Sequence, residues 1–235
     1  MLTVLEAIEQ RHSVRRYKDI PLSEECRELM HNKIEEVNAA SGLHFQLVCD
    51  ERKAFSGGLA YGKFFGVNSY IVAAGRKAPE LDEQIGYYGE QLVLYAQRIG
   101  LNTCWAGLSY SKVKGTYELE DGEKIACYLA LGYGETPGIQ HKSKALSEIS
   151  NLDAQSPEWF RKGVEAAALA PTAVNQQKFF IEYQGLKEGE SLPRVNFDKG
   201  HSVIGYTKMD KGIARYHFEL GASGGNIAEL PFRYI

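Results

Sequence analysis

Arg11-His12-Ser13-Val14-Arg15-Arg16-Tyr17 sets three arginines, an imidazole and a hydroxyl into seven consecutive residues. Side chains at alternate positions of an extended segment point the same way, so Arg11, Ser13 and Arg15 can converge on one small anion. Taken alone, the stretch also reads as a solvated basic turn. It follows a short amphipathic segment, Leu2 to Ile8, which predicts a helix ending near Glu9. It leads into Pro21-Leu22-Ser23, where Ser23 is a good N-cap and Glu24 and Glu25 suit the positive end of a helix dipole.

That second helix runs to about Ala40, with Leu29, Ile34 and Val37 on its inner face. Leu43 to Cys49 reads as a strand, and the apolar run Ser69 to Ala74 as a strand buried on both faces. Leu81 to Ile99 is the longest helical pattern, stopped by Gly100. A short helix is expected near Lys112 to Tyr117 and a strand from Lys124 to Leu131, ending in the turn Gly132-Tyr133-Gly134-Glu135-Thr136-Pro137-Gly138. Ser156-Pro157 starts a helix that should reach Leu169. Phe179 to Tyr183 is a strand, Ser202 to Tyr206 a further candidate strand, and Gly212 to Ala222 a last helix.

With 235 residues, 44% of them apolar and 24% charged, the chain can build an ample core. A net charge of -3 and a pI near 6.1 speak against nucleic acid or an acidic membrane as the main partner. No apolar run is long enough to span a bilayer, and Glu6 and Glu9 interrupt what a signal peptide would need. Cys26, Cys49, Cys104 and Cys127 are widely spaced, which fits free thiols in a reducing cytoplasm better than disulfides or zinc. The histidines form no metal-binding pattern, so no metal is expected. Hydrolase elbows and dinucleotide fingerprints are missing as well.

A second stretch, Ala170-Pro171-Thr172-Ala173-Val174-Asn175-Gln176-Gln177, changes the reading of the first. Together they resemble the FMN-dependent nitroreductase family, with its Arg-(Arg/His)-Ser-x-(Arg/Lys) opening and its Ala-Pro-Ser-x-x-Asn-x-Gln-Pro-Trp-like loop. The resemblance implies an α+β fold: a three-layer αβα sandwich with a central, mostly antiparallel sheet, flanking helices and an internal pseudo-two-fold. It implies FMN as cofactor and NAD(P)H as reductant, in ping-pong hydride transfer through flavin N5 to a small oxidised acceptor. No side chain need then act as a catalytic nucleophile, and none was found.

By the same resemblance, Arg11 and Ser13 match phosphate and ribityl contacts, and Lys142 and Lys144 a basic pair on the same phosphate. His12 and Arg15 match positions along the isoalloxazine edge, where a cation tunes the flavin. Trp105, Ala106 and Gly107 resemble a Cys-Trp-x-Gly segment that runs past N5, where glycine admits the ring closely. Pro171, Thr172, Ala173 and Asn175 match a loop that the partner subunit usually supplies. Lys178 and Phe179 stand where Pro-Trp is usual. Tyr61 and Lys63 lie near a stretch that adds a polar ring contact in the family.

The second half echoes the first. Gly86 to Ala96 parallels Gly212 to Ala222, with Leu94 over Leu220, and Ile34 to Val48 parallels Val164 to Ile181 in element order. The first half has the arginine motif with a degenerate loop, Ala39-Ala40-Ser41-Gly42; the second has the good loop and no arginine motif. The expectation is one nitroreductase-like domain over 1–235, with a first repeat at 1–150 and a shortened second repeat at 151–235. It is similar to the single-chain nitroreductase group and retains one FMN site. A monomer then suffices, and a homodimer remains open. A flavin storage or sensor protein without efficient turnover is the alternative.

Overall fold

The computed structural model describes residues 1–60 and 62–235. Helix α1 (Val4–Gln10) opens with a capping box: Thr3 Oγ1 accepts from the Glu6 amide, and the Glu6 carboxylate accepts from the Thr3 amide. Ser23 caps α2 (Glu24–Ser41) by accepting from the Cys26 amide, and Gly42 ends it in the left-handed conformation at φ +69°.

A four-stranded antiparallel sheet follows, ordered β1 (His44–Val48), β2 (Ser69–Arg76), β4 (Glu123–Gly132), β3 (Asn102–Ala106). Residues 69–75 of β2 are all buried, as its apolar run predicts. On one face Ile71, Ala73, Phe45 and Leu129 pack with Met30, Ile34 and Val37 of α2 and with Ile85 and Leu92 of α4 (Leu81–Arg98). The other face presents Tyr70 and Tyr128, stacked at 5.0 Å, under Phe55 of the short α3 (Lys53–Ser56).

After α5 (Leu146–Ile149) and α6 (Glu158–Ala167), a second sheet forms from β5 (Phe179–Gly185), β6 (Arg194–Lys199) and β7 (Arg233–Tyr234). Its Phe179, Ile181 and Phe197 pack with Phe160 of α6 and Phe218 of α7 (Thr207–Ala222). Antiparallel pairing thus dominates, divided between two sheets; β6 and β7 alone pair in parallel.

Helices α4 and α7 join the two sheets at a crossing of glycines. A Cβ on Gly86 would lie 2.1 Å from the Met209 carbonyl oxygen, and one on Gly212 would lie 2.0 Å from that of Glu83. The contacts are reciprocal at a constant offset: Glu83 corresponds to Met209, Gly86 to Gly212 and Tyr87 to Ile213. The crossing is therefore self-complementary in the manner of a two-fold interface.

Two local expectations fail. Residues 112–117 form no helix, because Gly115 takes φ +82° and breaks the helical run. Residues 202–206 form no strand: Gly205 and Tyr206 both have positive φ, and β6, eight residues earlier in register terms at Arg194, takes the place beside β5.

Candidate active site

Past α1 the chain turns extended at Arg11, and the basic stretch lies along the first sheet. Ser13 bridges Thr103 of β3, Arg16 bridges Phe65 and Tyr17 bridges Gly134. Val14 and Tyr17 are both buried in the core, which anchors the stretch although strict alternation breaks between them. Arg11, Ser13 and Arg15 share the side facing Cys104: burial raises that thiol, while Arg15, Arg11 and a Ser13 hydrogen bond draw it down.

Arg11 is only 3% exposed. Its Nε stands 3.8 Å from Oε1 of Glu90 and has no hydrogen-bond partner among the described residues. Burial lowers its basicity, and the Glu90 charge partly restores it. His12 is held below the ordinary histidine range first by burial and then by Arg11. His141 is lowered by burial too, with Arg11, His12 and His217 adding repulsion against its backbone bond to Ala168. Arg11, His12 and His141 therefore crowd one place, with His217 adding to the positive charge felt by His141. Such a cluster calls for an anion.

Residues 138–144 connect this cluster to the downstream loop. Gly138, at φ +82°, approaches His12 and Val14 so closely that a Cβ would stand 2.9 Å from that of His12. His141 Nε2 and Ser143 Oγ both donate to the Ala168 carbonyl. Lys144 Nζ donates to the Gln177 carbonyl at 2.9 Å, so its ammonium is already tied to the loop, whereas Lys142 is exposed. Asn175 and Gln177 side chains both donate to the Lys142 carbonyl at 2.9 Å. Thr172 Oγ1 accepts from the Gln177 amide, and the Ala173 amide donates to Asp210. Pro171 is buried behind them.

This loop holds strained backbone. Val174, Asn175 and Gln177 lie at φ +47°, +56° and +45°, and Tyr206 at +62°. A β-branched residue there is a conformational outlier of the kind that collects at functional sites. Asp210, buried behind the loop, is pushed up to about 6 by burial, against hydrogen bonds from Ala173 and Gln176.

Trp105, Ala106 and Gly107 end β3 at the same place. Trp105 donates its indole N–H to Glu90 Oε2 at 2.9 Å and lies over Gly89. Ala106 is buried, and Gly107 lies against the Tyr206 ring, 2.6 Å from where its Cβ would be. Leu108 after Gly107, Val174 in the loop, and Val203 and Ile204 before Tyr206 are exposed apolar side chains. Lys63 is exposed, and Tyr61 lies outside the described residues.

Sequence reading missed Glu90, His217, Tyr206, Asp210 and Gln177. Glu90 carried a usable signal, a carboxylate on the inner face of an apolar helix between Gly89 and Leu92. Tyr206 carried none, because its place depends on the turn that replaces the expected strand.

This arrangement of sheets and crossing helices is that of a nitroreductase-type α+β protein. The family described as "Putative TM nitroreductase" matches residues 3–222, and the chain belongs to it. A crystal structure of a "putative nitroreductase" from Thermotoga maritima MSB8 is similar at 24% identity and TM-score 0.67, covering 95% of this chain and 85% of that one. Also similar is a "putative nitroreductase in complex with FMN" from Desulfovibrio desulfuricans, at 19% identity and TM-score 0.49, covering 67% of this chain and 98% of that one. Comparison with curated proteins finds no match.

Proposed function

We propose that this chain is an FMN-dependent NAD(P)H oxidoreductase that reduces small oxidised acceptors. The observation that carries the reading is the crowding of Arg11, Arg15, His12 and His141 beside a loop built by the other half of the chain. The orphaned Arg11 Nε fits an anionic ligand end. Arg11 and Ser13, with exposed Lys142, would hold the phosphate and ribityl chain; Lys144 would act by fixing the Gln177 loop. His12 and Arg15 would lie along the isoalloxazine edge, Trp105, Ala106 and Gly107 would face the ring from one side, and Pro171, Thr172, Ala173 and Asn175 from the other. Bound FMN would supply ping-pong hydride transfer between NAD(P)H and the acceptor. The protein's part is position and charge, with no catalytic side chain.

The reciprocal glycine crossing supports reading 1–150 and 151–235 as repeats of one pseudo-dimeric domain. A single chain then completes its own site, so a monomer suffices; partners are small molecules rather than nucleic acid or membrane. Among the described residues, no helix is long and apolar enough to cross a membrane. Four free cysteines, two of them buried, support a reducing compartment, the cytoplasm. The Tyr206 ring against Gly107 and the altered exit at Lys178-Phe179 favour one rival, a flavin store or sensor without efficient turnover.

The test is the visible spectrum after FMN addition and desalting, followed by NADH or NADPH. One retained FMN per chain, bleached by either nucleotide, is expected. Arg11→Ala should weaken FMN binding by more than about tenfold, since it leaves a phosphate oxygen underpaired. A colourless protein refutes the FMN reading, and a flavin that neither nucleotide bleaches points to the store or sensor.

A further inference from the structure

Glu90 in the middle of α4 and His217 in α7 are both fully buried. His217 Nε2 lies 2.8 Å from Glu90 Oε1, and its Nδ1 lies 3.2 Å from the Ala166 carbonyl oxygen. A carbonyl can only accept a hydrogen bond, and so can an ionised carboxylate. Trp105 donates to the second Glu90 oxygen and the Arg11 guanidinium stands beside the first, so both oxygens are placed as acceptors. Both imidazole nitrogens must then carry a proton.

The consequence is a matter of charge. Arg11 beside Glu90 alone would be a neutral pair, poor at attracting an anion. The His217 proton returns the trio to a net positive charge, buried where charge interactions are strong. We propose that His217 is a positioning residue held as an imidazolium by Glu90, and that it frees the Arg11 charge for a phosphate ester, making that binding proton-dependent. The ligand part of this inference rests on the FMN reading above.

The groups facing the pair come from several elements. Arg11 and His12 belong to the basic stretch, Trp105 to β3, Tyr216 to α7 and His141 to the 138–144 segment. From α6 the Ala166 carbonyl faces His217. Glu219, one helical step on, turns to Tyr87 and Arg215 instead. Of these, His12 and His141 can also titrate, so the assignment must be made residue by residue.

Nitrogen NMR of the histidine-labelled full chain, from about pH 5.5 to about pH 8.5 around the ordinary histidine range, reads this directly. His217 is identified as the signal missing in His217→Gln. Two one-bond N–H couplings from His217 at the low end are expected; a nitrogen without a proton at every pH overturns the charge assignment. FMN affinity is then compared at both ends, where the phosphate's own titration is common to all variants and cancels. Wild-type affinity should fall with rising pH by about tenfold more than that of His217→Gln, the effect of one nearby charge. In Glu90→Gln, which keeps the shape, His217 should show one protonated nitrogen and the excess pH dependence should vanish. Equal falls in wild type and variants, with FMN bound, overturn the coupling alone. Failure of the wild type to bind FMN at any pH overturns the coupling together with the FMN reading, while the NMR result still decides the charge of His217.

Discussion

Replacing Gly86 by alanine should destabilise the protein, although the same change in an exposed helix gains about 1 kcal/mol in propensity. The new methyl would stand 2.1 Å from the Met209 carbonyl oxygen and 2.9 Å from its carbon, where ordinary contacts begin at 3.4 Å. The obstacle is backbone of α7, which cannot swing aside as a flexible side chain would, so the helices must part by about an ångström. Overpacking of this kind costs about 1–3 kcal/mol. Parting also stretches the 2.8 Å bond between His217 and Glu90, a buried charged contact whose loss adds about 1–3 kcal/mol. After the propensity gain, a net loss of about 1–5 kcal/mol remains, which for a domain of this size lowers Tm by about 2–20 °C. Gly212→Ala should do the same from the other side, meeting the Glu83 carbonyl at 2.0 Å. Because one separation accommodates both methyls, the double variant should lose clearly less than the sum of the singles. Urea titration of all four proteins at constant m-value measures this. A Gly86→Ala protein as stable as wild type, or strictly additive losses, would refute the shared crossing.

Asp210 makes stability depend on pH in a definite direction. Its folded value of about 6 exceeds the 3.8 of the free carboxyl, so the folded state holds the proton more tightly. Its contribution is therefore complete below about pH 4 and lost as pH rises through about 6, an effect of about 3 kcal/mol. Asp210→Asn cannot titrate, so urea unfolding at about pH 4 and about pH 7.5 should show wild type losing ground to the variant with rising pH; a constant difference refutes the assignment. At the other wall of the site, Gly107→Ala forces a methyl against the Tyr206 ring and should cost about 1–2 kcal/mol. Tyr206→Ala in the same chain should relieve most of that cost, and additive losses would show that the ring does not rest on Gly107.

Much of the fold was legible because local signals and packing agree. Ser23 caps the helix it was expected to cap, and the unbroken apolar run at Ser69 to Ala74 is a strand buried on both faces. Gly86 to Ala96 and Gly212 to Ala222, aligned from sequence alone, are the two helices whose glycines meet. The misses are places where a local pattern lost to backbone geometry. Gly115 breaks the helical run 112–117, and Tyr206 turns a strand-like sequence into the start of α7. In the site, alternation grouped Arg11, Ser13 and Arg15, and all three act on the Cys104 thiol. It could not foretell that Arg11 is buried against Glu90, because that contact depends on where α4 passes. Nor does Val174 announce its positive φ, since valine is among the residues least suited to it.

On the proposed flavin reading, the glycine correspondence also bears on why one site would survive where a pseudo-dimer could hold two. Extending it along the helices sets Leu94 against Leu220, Glu90 against Tyr216 and His217 against Gln91. The counterpart of a buried carboxylate and imidazole is thus a phenol and an amide, neither of which brings a charge. Tyr216 instead packs edge-on against Tyr87 at 5.2 Å, and Tyr87 bonds Glu219, so that side of the crossing is filled by aromatic packing. No arginine stretch like Arg11 to Arg16 precedes the second half to supply cations there. A phosphate ester entering that side would meet Arg215 already paired with Glu83 and Glu219, so that cation is not left over to compensate its burial. The asymmetry expected from the two loops is therefore matched in the core, and it favours one flavin per chain.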